Sequence, residues 1–172
     1  LTSAFYLLFV SLQDFIKKRY NNLAQSTSHL GFSLLILSIL LNNFFSSEVI
    51  TNLKIGEIYE NNKIKINFEK IYEKNEQNFK SIVGQFNVQN SKGEFEILNP
   101  ELRIYNMPNI ITSEADIKMN LFEDKFMTMN LVQNQEIFNI RYQVKPFMLW
   151  IWISVIMISL GGFINLFKKN EK

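Results

Sequence analysis

The feature that most constrains this chain is an uncharged run from Phe147 to Phe167, FMLWIWISVIMISLGGFINLF. A helix of about 20 residues, rising ~1.5 Å per residue, covers the ~30 Å of hydrocarbon in a bilayer. Lys145-Pro146 leads into the run and Lys168-Lys169 closes it. Trp150 and Trp152 stand near its first end, where amphipathic rings favour the membrane–water interface. A core helix of a soluble protein is the competing reading. It would require a chain of 172 residues to bury two such helices all round, because a second apolar stretch lies upstream.

That second stretch is His29–Phe45, HLGFSLLILSILLNNFF, and no charge occurs from Asn21 through Ser47. Gly31, Ser33 and Ser38 are small residues that allow close packing against neighbouring membrane helices. Residues 1–16 are mostly apolar until Asp14, yet too short to span alone. They show no starting methionine, basic n-region or small-residue cleavage site. The expectation is a longer protein entered part-way through a membrane helix. The expected order is a helix end (1–16), a cytoplasmic loop (17–28), a transmembrane helix (29–45), an external strand domain (46–145), a transmembrane helix (146–167) and a cytoplasmic tail (168–172).

Short flanks rich in Lys and Arg mark the inner side of a membrane. Lys17, Lys18 and Arg19 precede the second helix, and Lys168, Lys169 and Lys172 follow the third. Two crossings separate these clusters, so both fit the cytoplasm and the middle domain falls outside. The 12 Lys/Arg of that domain do not oppose this, because long translocated domains largely escape the rule.

The middle of the chain reads as antiparallel strands. In KIKINFEKIY, Ile64, Ile66, Phe68 and Tyr72 fall on one face and Lys63, Lys65, Asn67 and Glu69 on the other, the period-2 pattern of a half-buried strand. Phe138, Ile140, Tyr142 and Val144 repeat it. SIVGQFNV, GEFEIL, LRIY and KFMTMNLV are further short candidates. Turn signals at Asn61-Asn62, Ser91-Lys92-Gly93, Asn99-Pro100 and Asn134 separate them. The fold class is therefore membrane α-helices plus an extramembrane antiparallel β domain, a small sandwich or barrel, between two transmembrane helices.

Few residues carry chemistry. The absence of cysteine excludes disulfides, a CxxC redox pair and a CxxCH haem attachment site on this chain. Net charge +2, with no basic stripe interleaved with aromatics, gives no nucleic-acid partner. No GxSxG, HExxH, phosphate loop or metal-spaced cluster occurs. The one histidine, His29, stands at the start of the second apolar stretch. It reads either as an interfacial polar residue or as an iron ligand, since a neutral imidazole binds iron and intramembrane ionisable groups are usually functional. Phe32, Ser33, Ile36, Leu37 and Leu40 follow at helical spacings, as a haem-pocket wall or as helix packing. Two histidine ligands to one haem cannot both come from this chain. Glu114 and Asp116, in ITSEADI, form an acid–base pair on one reading. The preferred reading is a solvated turn or helix start capped by Thr112 or Ser113.

Three stretches resemble a known family, in order and with the expected gaps. SHLGFSLLILSI resembles the AHLG-type helix of the CcmF/NrfE/CycK family of cytochrome c-type biogenesis proteins, the haem lyase components of the system I pathway. LNPELRIY with ITSEADI resembles its PE-R-Y and TEA-I stretch, and RYQVKPFMLWIWISVIMISLGGF its closing KPF-WIW-LGG segment. The resemblance runs from about Ser28 to Lys169 and extends equally to the haem lyases of nitrite reductase maturation.

The resemblance implies the C-terminal part of a haem lyase in the bacterial inner membrane, or the mitochondrial inner membrane, with the β domain on the periplasmic side. It implies that His29 is an axial ligand of a membrane b-type haem whose second ligand lies outside this chain. Ser28 replaces the alanine of the AHLG-type motif. The implied partners are other cytochrome c maturation subunits, a periplasmic haem chaperone and apocytochrome c. The tryptophan-rich WWD segment and its flanking histidines are not in this sequence, so the segment is not a complete synthetase. A membrane-tethered β-domain adaptor without a cofactor is the alternative reading.

Overall fold

A computed structural model describes residues 2–17, 23–91, 93–132 and 136–169, with 168 and 169 by backbone alone. Lys18, Arg19 and Lys172 of the basic clusters, and Lys92 and Asn134 of the expected turns, lie outside the described residues. The chain forms two compact units, one of residues 1–46, 120–124 and 145–172, the other of residues 47–119 and 125–144.

The first unit is helical. It contains α1 (Thr2–Ile16), α2 (Leu23–Phe45) and α3 (Met148–Lys169). Among the described residues α2 and α3 are long and apolar enough to cross a membrane. Only 22% and 11% of their most apolar windows are buried, so these are not core helices wrapped by protein. What α2 does bury is small: Ala24, Ser26, Gly31, Ser33 and Ser38, with Leu37. Hydroxyls in such a helix satisfy themselves on the preceding turn. Ser33 Oγ donates to the carbonyls of His29 and Leu30, and Ser154 Oγ to that of Trp150.

The second unit is a sandwich of antiparallel strands. In chain order these are β1 (Ser47–Leu53), β2 (Ile58–Glu60), β3 (Ile64–Asn75), β4 (Phe79–Asn90), β5 (Phe95–Leu98), β6 (Glu101–Asn106), β7 (Asn109–Glu114), β8 (Asp116–Met119), β9 (Glu123–Leu131) and β10 (Phe138–Pro146). One sheet has the order β1-β10-β9-β8, the other β2-β3-β4-β6-β7 with β5 paired to β4. The expected turn at Asn61 is an Asx turn whose side-chain oxygen accepts from the N–H groups of Lys63 and Ile64. At Asn99-Pro100 one strand becomes two, β5 and β6, and both pair with β4.

The core joins the sheets through aromatic rings. Phe68 stacks on Phe86 at 4.2 Å between centroids and meets Phe138 edge-on at 5.5 Å. Ile66, Val88, Leu98, Met127, Met129 and Ile140 fill the rest. Phe138, Ile140 and Tyr142 are buried as their alternation predicts, with Val144 packed against them. Tyr72 is not on the face assigned to it. The β3–β4 register shifts between Phe68 and Lys70. A bulge of this kind inserts one residue and reverses the alternation beyond it. Ile71 therefore packs against the core, and Tyr72 is exposed.

Candidate functional site

The site suggested by sequence lies on α2, and its geometry starts with two small residues. A Cβ on Gly31 would lie 2.9 Å from Met157 Cβ and 3.0 Å from the Ser154 carbonyl. A Cβ on Gly161 would collide with Ser28 Oγ and lie 2.6 Å from the Ala24 carbonyl. So Ser28 and Gly31, on either side of His29, face α3 at close range. Successive residues of a helix turn by about 100°. His29 is accordingly carried off the α2–α3 contact, and it is exposed. The small residue before the histidine serves helix approach.

The proposed apolar wall divides. Phe32 and Leu40 are exposed at 54% and 39%, on the open side with His29. Ser33 and Leu37 are buried at 0% and 5%, so these two pack within the helical unit. Beside Ser28, a hollow of about 320 Å³ is lined by Ala24, Gln25, Ser28, Gly161, Gly162 and Asn165, and His29 does not border it. No group of three or more His, Cys, Asp or Glu capable of holding a metal occurs among the described residues. The His29 imidazole is a side chain of the kind that can hold haem iron.

The opposite end of the helical unit is built around the entry to α3. Phe147, between β10 and α3, has φ +61°, a left-handed conformation that is strained for a bulky residue. Its N–H donates to the Phe122 carbonyl at 2.8 Å, and its own carbonyl accepts the N–H of Ile151 at 3.2 Å. The Trp150 indole donates to the Leu121 carbonyl at 2.9 Å. Asn42 Nδ2 donates to the Pro146 carbonyl at 2.5 Å, fixing the end of α2.

In the sandwich, Glu114 and Asp116 start no helix and make no pair. Glu114 ends β7 and lies 3.9 Å from Arg103, whereas Asp116 opens β8 and accepts the N–H of Asn99 at 2.7 Å. The neighbouring Ser113 Oγ donates to the Met129 carbonyl, tying β7 to β9. These polar residues are strand fasteners. The signal that distinguishes them from a helix cap is long-range pairing, which a local reading of Thr-Ser-Glu does not contain.

Glu101 centres the one dense polar network of the sandwich among the described residues. It accepts from Ser81 Oγ at 2.8 Å and pairs with Arg103 at 3.3 Å and Lys74 at 3.6 Å. Partial burial alone would raise its pKa. The Ser81 and Arg103 hydrogen bonds and the two cations outweigh that and hold it below the usual glutamate value. The Arg103 guanidinium is pushed up, first by a hydrogen bond to the Tyr105 side chain and then by Glu101 and Glu114. Arg103 also lies over the Phe79 ring at 4.9 Å. Every charge here has an opposite partner, an arrangement that braces β3, β4, β6 and β7 and leaves no poised acid or base.

A strand sandwich whose flanking helices are long and apolar enough to cross a membrane, with the single histidine of the sequence on the open face of one of them, defines a membrane-anchored strand module. The family described as CcmF C-terminal beta-sandwich matches residues 44–146, and the chain belongs to that family. It is similar to the cytochrome c-type biogenesis protein NrfE of Haemophilus influenzae, 25% identical over all of this chain and 28% of the relative. It is 26% identical to CcmF of Escherichia coli over 81% of this chain and 22% of the relative. A solved structure described as the cytochrome c heme lyase CcmF superposes with a TM-score of 0.69, covering 94% of this chain and 28% of that one at 15% identity, which shows the shared fold. The chain thus spans 22–28% of the length of these relatives.

Proposed function

We propose that this chain serves the covalent attachment of haem to apocytochrome c, as the C-terminal segment of a haem lyase, and that His29 is an axial ligand of a b-type haem in the inner membrane. The observation that carries the reading is the orientation of His29. Ser28 and Gly31 are spent on α3, and the imidazole is left on the exposed face of α2 with Phe32 and Leu40. That side is where further helices of a full-length haem lyase would close a pocket. If both axial ligands are histidines, the second comes from outside this chain, which contains one histidine.

When bound, such a haem supplies a one-electron couple whose potential follows its axial ligands and burial. The protein's part is to fix the imidazole on a rigid helix at one depth. Basic clusters at residues 17–19 and 168–172 support a cytoplasmic side for both and a periplasmic side for the sandwich, residues 46–145. The sandwich is a docking and structural element for the other maturation subunits, the haem chaperone and apocytochrome c.

The test replaces His29 with Ala in the full-length parent protein. The expected result is loss of the b-type haem spectrum and of cytochrome c maturation. An unchanged spectrum with normal maturation overturns the ligand assignment and favours a cofactor-free adaptor.

A further inference from the structure

The turn between β8 and β9 has the wrong residues for a turn in water. Asn120 and Glu123 close it, with the Asn120 N–H on the Glu123 carbonyl at 3.1 Å and near the Asp124 carboxylate at 3.3 Å. Tight turns of this kind favour Gly, Asn, Asp, Ser or Pro at their centres. Here the centre is Leu121-Phe122, and these side chains are 52% and 61% exposed. Exposing two large apolar groups on a turn tip calls for a non-aqueous surface.

The backbone of the turn is equally unusual. Turn carbonyls are normally solvated, but both central carbonyls are taken by protein donors. Leu121 C=O accepts the Trp150 indole, and Phe122 C=O accepts the Phe147 N–H. Carbonyls satisfied in this way can leave water without losing these hydrogen bonds, which eases the condition that lipid imposes. The donors also fix its depth. Phe147 immediately precedes α3 and Trp150 stands in its first turn, and the 20-residue apolar stretch of this helix matches the bilayer core. Trp150 and Trp152 stand there, and Trp152 is 62% exposed.

We infer that the Leu121–Phe122 turn inserts into the outer headgroup–acyl boundary of the membrane, as a second lipid anchor clamped to the start of α3. The inference rests on the reading of α3 as a membrane span. Its chemistry is that of an apolar wedge on lipid.

The chain has no cysteine, so a single introduced one can carry an environment-sensitive fluorophore. The full chain is reconstituted in vesicles of phosphatidylethanolamine and phosphatidylglycerol, with Phe122→Cys, Leu121→Cys or Ile156→Cys labelled in turn. Nitroxide lipids quench from either the headgroup region or the middle of the acyl chain. Labels at 121 and 122 are expected to shift to shorter wavelength and to lose emission most to the shallow nitroxide. The label at exposed Ile156 should lose emission most to the deep one. Water-like, unquenched labels at 121 and 122 beside a quenched 156 overturn the inference. So do blue-shifted but unquenched labels there, which would mean that protein covers the turn. An unquenched label at 156 overturns the span itself, and the inference with it.

Discussion

Gly161 of α3 sits against Ser28 of α2 so closely that a single methyl group on it would strike the Ser28 hydroxyl and lie 2.9 Å from the Ser28 amide nitrogen. Because His29 is the next residue, this contact aims the imidazole. Gly161→Val should therefore separate α2 from α3 where the start of α2 meets the end of α3. Overpacking of this kind costs about 1–3 kcal/mol. Gly162→Ala, where nothing lies within 4 Å, should be silent. Thermal unfolding in detergent micelles compares the two variants, and equal melting temperatures would show that the contact is not tight.

Phe147 occupies a left-handed conformation, which costs an L-residue about 1–2 kcal/mol that glycine escapes. Replacing Phe147 removes its packing beside Leu37, Leu41 and Trp150 whatever takes its place. The comparison of interest is then Phe147→Gly with Phe147→Ala. The glycine variant should be the more stable of the two by about 1 kcal/mol, the reverse of their order in an ordinary helix. Denaturant midpoints measured in the same detergent decide it.

Lys125 of β9 is almost fully buried and reaches Glu96 of β5 at 2.6 Å, an ion pair between the two sheets. Removing one partner of such a pair strands the other charge. Lys125→Met should destabilise the chain by up to about 3 kcal/mol, the low end for a buried pair, because Glu96 retains 26% exposure. Adding Glu96→Leu should restore most of the loss. Restoration failing in the double variant would show that Lys125 acts through packing alone.

The Glu101 network predicts a pH dependence. Its folded pKa lies below the ordinary value of 4.5, so the unfolded chain takes up the proton first. The stabilisation is fully present above about pH 4.5 and is lost as the pH falls through the lowered folded value. Glu101→Gln should therefore be less stable than the native chain at neutral pH, and the gap should close in acid. Urea titrations of both proteins across that range test this. A gap that stays constant would remove the assignment.

The parts of the fold legible in the sequence are those set by local rules. Phe147–Phe167 stands out by length and lack of charge, and Phe138–Val144 by strict alternation. Alternation alone places Tyr72 on the wrong face because it has no memory of a bulge. Residue 69, where the register slips, is an ordinary glutamate. Strands β7 and β8 were hidden because Thr112, Ser113 and Glu114 also suit a helix cap. Only the pairing of β7 with β6, its bonds to Met129 and Arg103, and the place of β8 beside β9 identify them. The site divides in the same way. A single histidine beside an apolar run is visible by counting, but its direction depends on Gly161, more than a hundred residues away. The Leu121–Phe122 turn was invisible because it breaks the turn chemistry by which turns are found.

The sandwich begins and ends on neighbours: Ser47 of β1 is the register partner of Val144 of β10. Six further pairs follow, down to Leu53 and Phe138, with Arg141 and Glu48 bridged beside them. Adjacent ends are the geometric condition for inserting one domain into another chain without prising the host apart. This makes the strand domain a transplantable cassette. Any two residues about one strand spacing apart, ~4.8 Å, could receive it, and the β1–β10 ladder would serve as its stem.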